Sequence, residues 1–204
     1  MNRLVRVLLV LGVVLGMSGQ ALAAPVAAID KGIGGVAWGA YPAKTQGFMK
    51  LKTLDGMDYF VNLRERLTIR GFAKPTVFYG ALDGRLYAAH LRLKESGAYP
   101  ALKAQLTAVY GPGKQKREDG GKVTRWKAGH VRVKLKLDAG GETKLSFYYQ
   151  PVAVTLAKGA READPGQDLV NLLAKDGGPA DPSGKAGEPA EGVDLMSLLK
   201  KVGQ

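Results

Sequence analysis

The chain reads as an α+β domain: an antiparallel sheet covered on one face by a main helix, followed by a disordered C-terminal tail carrying two short amphipathic helices. Three observations predict this. Strand-length stretches with period-two apolar alternation recur around Asp-Gly and Gly-Gly turns. One stretch, Tyr99 to Tyr110, switches to apolar steps of three and four residues. Beyond Ala157 aromatic residues disappear, and Gly, Pro, Ala and charged residues dominate.

The chain opens with the three parts of an export signal over residues 1–23. Arg3 and Arg6 supply positive charge, Val7 to Met17 is apolar, and Ala21-Leu22-Ala23 has the small-x-small pattern of a cleavage site. A spanning anchor needs about 20 apolar residues, which this run does not reach. The reading is therefore an exported, periplasmic protein whose domain occupies residues 24–157. The sequence contains no cysteine, which excludes disulfides, a thiolate nucleophile and an N-terminal lipidated cysteine. Its core alone must hold it, and the domain is long enough to bury one.

Within the domain, Ile33 to Tyr41 is a short extended segment that anchors Trp38 in the core. Pro42 to Gly47 suits a brief helical turn. Met57 to Leu63 has strand composition after Asp55-Gly56, and Leu67 to Ile69 is expected to pair with it. Val77 to Gly80 and Arg85 to Lys94 flank Asp83-Gly84, a strong hairpin signal. Alternation puts Tyr87, Ala89, Leu91 and Leu93 on one face and His90, Arg92 and Lys94 on the other.

The helix follows, with Ser96 as its expected N-cap, Pro100 in its first turn and Gly111-Pro112 as its stop. Tyr99, Leu102, Leu106, Val109 and Tyr110 form its apolar stripe. Lys114 to Lys122 reads as a charged loop. Val123 to Lys127, His130 to Asp138 and Thr143 to Gln150 read as three more strands. Val131, Val133, Leu135 and Leu137 face the core, as do Leu145, Phe147 and Tyr149.

Several of these residues recur together in known proteins. Val36-Ala37-Trp38-Gly39-Ala40, then Val77-Phe78-Tyr79-Gly80 with Gly84-Arg85-Leu86-Tyr87, then Leu102, Leu106 and Tyr110-Gly111-Pro112, then Trp126 resemble an uncharacterised family of exported bacterial α+β domains. Its motifs are a W-G-A start, a Y-x-F…G-x-L-Y hairpin and an L-x-x-x-L…Y-G-x-P helix end. The resemblance spans Val36 to about Tyr149. It implies fold and export, but the family carries no established activity, so no functional residue transfers. A weaker similarity joins the helix, the Gly-Pro stop, the tryptophan and the paired strands to the small lipoprotein of the outer-membrane barrel-assembly machinery. This chain departs from it in having no lipidated cysteine.

The tail, residues 158–204, contains a repeat. Asp168-Leu169-Val170-Asn171-Leu172-Leu173-Ala174-Lys175 matches Asp194-Leu195-Met196-Ser197-Leu198-Leu199-Lys200-Lys201 in its Asp, its three leucines and its final Lys. Each copy, at 168–175 and 194–201, starts with a capping residue, ends with a cation and places its leucines on one helical face. Helices this short are marginal in water and form when that face is buried. Leu169, Leu172, Leu173, Leu195, Leu198 and Leu199 are therefore candidate partner-binding residues for an envelope protein. A membrane surface or the protein's own sheet are the other possible covers.

Charge concentrates in the domain. Residues 24–157 carry 22 Lys and Arg against 10 Asp and Glu, whereas the tail is mildly acidic. Arg132, Lys134 and Lys136 form a row on one strand, with Arg92 and Lys94, and Arg125 and Lys127, on others. Together these seven are the candidate anion-binding residues. Anionic lipid, lipopolysaccharide or a wall polymer are candidate ligands; an ordinary solvated face is the other reading of the same row. Export argues against nucleic acid.

No catalytic pattern emerges. Gly32-Ile33-Gly34 lacks the strand and helix that a dinucleotide loop needs, and no phosphate-binding Gly-Lys-Ser/Thr loop exists. His90 and His130 stand without clustered carboxylates in sequence. The expectation is a non-catalytic envelope binding or adaptor protein needing no cofactor and no metal. The alternative is a small envelope hydrolase or carbohydrate-active enzyme built on a carboxylate pair.

Overall fold

The computed structural model describes residues 28–155, 193–195 and 197. The signal segment 1–23, the tail copy at 168–175 with Leu169, Leu172 and Leu173, and also Leu198 and Leu199, lie outside the described residues.

Among the described residues, eight strands form one antiparallel sheet. In chain order the strands are β1 (Gly32–Ile33), β2 (Val36–Ala37), β3 (Phe48–Leu54), β4 (Met57–Asn62), β5 (Leu67–Thr68), β6 (Thr76–Leu82) and β7 (Arg85–Leu93), then β8 (Lys114–Glu118), β9 (Gly121–Ala128), β10 (Val131–Leu137), β11 (Thr143–Tyr149) and β12 (Val193–Asp194). The large sheet has the order β3-β4-β6-β7-β11-β10-β9-β8. Short pairs β1–β2 and β12–β5 lie outside it. Helix α1 spans Ala98–Tyr110 and α2 spans Gln150–Thr155.

Three hairpins share one turn chemistry. Asp55, Asp83 and Asp119 have φ of 50°, 48° and 49°, each followed by a glycine at positive φ, the pairing that suits the twist of two-residue hairpins. The third corrects the sequence reading. Lys114 to Lys122 is not a loop but β8, the Asp119-Gly120 turn and the start of β9. Strand β3 was likewise not foreseen, although it precedes the Asp55-Gly56 turn. Leu67 and Thr68 do not pair with β4; they pair in parallel with β12.

One face of the sheet buries Phe60, Tyr79, Leu91, Trp126, Val133, Leu135, Leu145 and Phe147. Ala98, Tyr99, Leu102 and Leu106 of α1 join that core, packed chiefly over β9 and β10. The helix does not cover the face alone. Its 13 residues make ~20 Å of length, whereas eight strands spaced by about 4.8 Å span ~34 Å. The remaining cover comes from Ile29, Ile33, Val36, Trp38, Leu67, Ile69 and Leu195. Trp38 is pinned by its Nε1–H, which donates to the Ile29 carbonyl at 2.7 Å. Gly97, in a left-handed conformation, precedes the helix in the cap position expected of Ser96.

The opposite face is also partly apolar, which alternation alone did not predict. Register shifts between Gly80 and Ala81, so Leu86 pairs with Ala81 and Ala88 with Gly80. The extra residue is Tyr87, which leaves the Ala89, Leu91 and Leu93 face. It joins Met57, Tyr59, Val61, Phe78, Ala88, Tyr148 and Val152 in a second cluster.

Candidate anion-binding face

The other half of this second face is basic. Two-residue periodicity sets which side chains share a side, and register sets who meets whom. Arg132 lies opposite Lys127, and Lys134 opposite Arg125, across β10 and β9. Lys136 lies opposite Lys144, and Lys144 opposite Arg92, across β10, β11 and β7. Lys114 lies opposite Arg125 at the outer edge. The structure therefore brings Arg92, Arg125, Lys127, Arg132, Lys134 and Lys136 onto one side, as their alternation required. Lys94 stands just beyond β7, exposed, on a shallow depression lined also by Asp138, Gly140, Gly141 and Glu142.

Contributors on two strands were missed. Lys144 bridges Arg92 to the β10 row, and Lys114 and Lys116 extend the field onto β8. The alternation of Thr143, Lys144, Leu145 and Ser146 already carried the first signal. The second was hidden by reading β8 as a loop.

Like charges directly opposite across strands repel, and the turn carboxylates relieve part of this. Glu118 accepts from Arg125 Nη1 and Nη2, at 2.7 and 3.0 Å. It also holds Lys116 and, at 3.3 Å, Lys134. Asp119 lies 3.2 Å from Lys136 Nζ. Lys144 sits between Asp138 at 3.6 Å and Glu142 at 3.8 Å. Arg92 is not an accessible contact: its side chain is only 3% exposed, and Nη1 lies 3.2 Å from Glu142. Those acids gather near the Asp119-Gly120 and Asp138–Glu142 turns. Arg132 and Lys127 are at the other end of β10 and β9, and both are exposed.

The two histidines have separate surroundings. His90 is buried, with Nδ1 3.0 Å from Ser146 Oγ and its ring edge-on to Tyr148. His130 is exposed beside the β9–β10 turn; Asp30 accepts its backbone N–H at 2.6 Å and meets Nδ1 at 2.9 Å. Among the described residues no group of three or more His, Cys, Asp and Glu side chains is placed to hold a metal. No helix among them is long and apolar enough to cross a membrane.

One partner-binding residue needs correction. Leu195 is fully buried in the protein's own core. It is therefore not presented to another molecule in this structure. Burial within one chain costs no translational freedom, whereas docking on a separate partner does.

No protein-family model matches the chain, and neither a curated protein nor a solved structure matches it significantly.

Proposed function

We propose that the protein is a non-catalytic binding or adaptor protein of the cell envelope, exported to the periplasm, whose basic sheet face holds an anionic surface. The observation that carries this reading is the row of directly opposed cations across β10 and β9, of which Arg132 and Lys127 are exposed. A phosphate-bearing ligand placed there lowers the repulsion among opposed cations, and guanidinium geometry suits phosphate. Anionic lipid, lipopolysaccharide and wall polymer share that chemistry. The reading includes two tail helices, at 168–175 and 194–201, whose leucines other than Leu195 are offered to a partner protein.

The hydrolase alternative would draw on Asp138 and Glu142, which share the depression beside Lys94. Both are engaged by Lys144, Glu142 also holds Arg92, and Asp138 Oδ1 accepts the Glu142 N–H at 2.9 Å. These are the contacts of a cation-braced turn, and they favour the binding reading.

The test is co-sedimentation of the chain lacking residues 1–23 with phosphatidylglycerol vesicles across a salt series. Arg132→Ser with Lys127→Ser should cut binding at least tenfold and flatten the salt dependence. Unchanged affinity and slope would reduce the patch to a solvated face.

A further inference from the structure

The short β5 strand is built as a receptor for a chain segment. Val193 and Asp194 lie parallel to Leu67 and Thr68. The Asp194 carboxylate accepts the Arg70 backbone N–H at 3.2 Å and lies 3.7 Å from Arg70 Nε. Leu195 then enters the core with no exposed surface, and Ser197 Oγ donates back to the Asp194 carbonyl at 2.7 Å. The receiving strand is itself held in place. Glu65 Oε1 accepts the Leu67 N–H at 2.8 Å, and Oε2 accepts the Tyr79 hydroxyl at 2.5 Å.

This arrangement reads a backbone strand, whatever its side chains, then a carboxylate, then a leucine. The chain supplies that order twice. Asp168-Leu169 stands where Asp194-Leu195 does in the other copy, with Asn171, another side-chain donor, in place of Ser197. Two copies of this sequence order and one described receptor are present in a single chain. Residues 156–167, between α2 and Asp168, reach up to ~40 Å when extended. A domain of this size has a radius of gyration of about 14 Å, so that reach is sufficient.

We propose that the β5–Arg70 groove is a binding site for Asp-Leu-x-x-Leu-Leu segments, and that Asp168–Lys175 is its second occupant, exchanging with the Asp194 copy of the same chain. Whichever copy is out of the groove is the one offered to a partner. That last consequence rests on the partner reading above; the exchange itself does not.

The exchange is tested on the chain lacking only residues 1–23. With Leu169→Ala and Leu195→Ala together, both internal ligands are weakened. A fluorescein-labelled peptide of residues 165–177 should then bind, and an unlabelled peptide of residues 191–203 should displace it. The parent chain should bind at least tenfold more weakly, because its own copies compete. Arg70→Glu should abolish capture. Should the leucine variant fail to fold, Asp168→Asn with Asp194→Asn removes the ion pair while leaving the core leucine.

Hydrogen exchange at the Arg70 amide gives a second readout. Protection should survive Leu195→Ala alone and be lost when Leu169→Ala is added. Binding of the 191–203 peptide but not the 165–177 peptide would overturn the exchange. So would capture insensitive to Arg70→Glu, or full loss of Arg70 protection from Leu195→Ala alone. None of these results depends on whether an outside partner exists.

Discussion

Lys134 on β10 stands directly opposite Arg125 on β9, and a single carboxylate, Glu118, holds both. Glu118 comes from β8, the edge strand, so the last strand of the sheet neutralises the middle of the basic face. The basic face is thereby divided. Glu118 braces Arg125 and Lys134, whereas Arg132 and Lys127, at the other end of the two strands, are exposed.

Replacing Glu118 with Gln should therefore have two opposite effects. Anionic vesicles should bind more tightly and with a steeper salt dependence, since the freed cations add to the field. Stability in urea should drop by about 1–2 kcal/mol, the scale of a charge-assisted contact that is not fully buried. A variant with lower stability and unchanged vesicle binding would show that these cations do not face the ligand.

Gly34 should not tolerate a side chain. It has φ of 60°, and an added Cβ would sit 2.2 Å from the Tyr79 hydroxyl. Gly34→Ala should cost about 2–4 kcal/mol in urea unfolding. Tyr79→Phe in the same chain removes the clashing oxygen, so the double variant should lose less than the two single losses summed. Simple additivity would mean that the clash is relieved elsewhere.

Alkaline unfolding should begin at the buried phenols. Burial pushes Tyr79 well above its ordinary value of 10.0, helped by the charge of Glu65 and by their hydrogen bond. Burial likewise raises Tyr110. Both folded values exceed the unfolded one, so the associated stability is complete below pH 10 and is lost as pH rises beyond it. Tyr79→Phe should make the fall of stability above that pH shallower. An unchanged slope would count against Tyr79 as a source of the loss.

At the acid end the sign reverses. Asp58 is held below its usual range by its hydrogen bonds from Lys50 and Thr53 and by the Lys50 charge. Its contribution is therefore present above pH 3.8 and is lost as pH falls through the lower folded value. Lys50 is half exposed, so Lys50→Met should change stability at neutral pH by less than ~1 kcal/mol. The change should vanish once Asp58 is protonated. A difference that persists in acid would point to lost packing instead of lost charge.

Much of the sheet was legible because its signals are local. Asp-Gly dipeptides marked the turns at Asp55 and Asp83, and alternation from Val131 to Leu137 assigned core and basic sides correctly. Where a neighbouring strand was polar throughout, as in Lys114 to Glu118, composition imitated a loop. The Asp119-Gly120 turn was the signal that could have corrected it. Tyr87 changed faces because of a bulge opposite Gly80 and Ala81, which alternation within its own strand does not reveal. Leu195 could be read as part of an amphipathic repeat, but its place in the core depends on a strand far away in the chain.

By itself, then, the sequence determined which residues alternate, where the chain turns, and that Arg132, Lys134 and Lys136 share a side. These follow from the two-residue repeat of a strand and from backbone preferences, which span only a few residues. Tertiary structure alone decided that Lys144 links Arg92 to the β10 row, that Glu118 satisfies Arg125 and Lys134, and that Arg70 meets Asp194 across 124 positions. Such pairings depend on strand order and register, which are set when remote apolar faces find a common core.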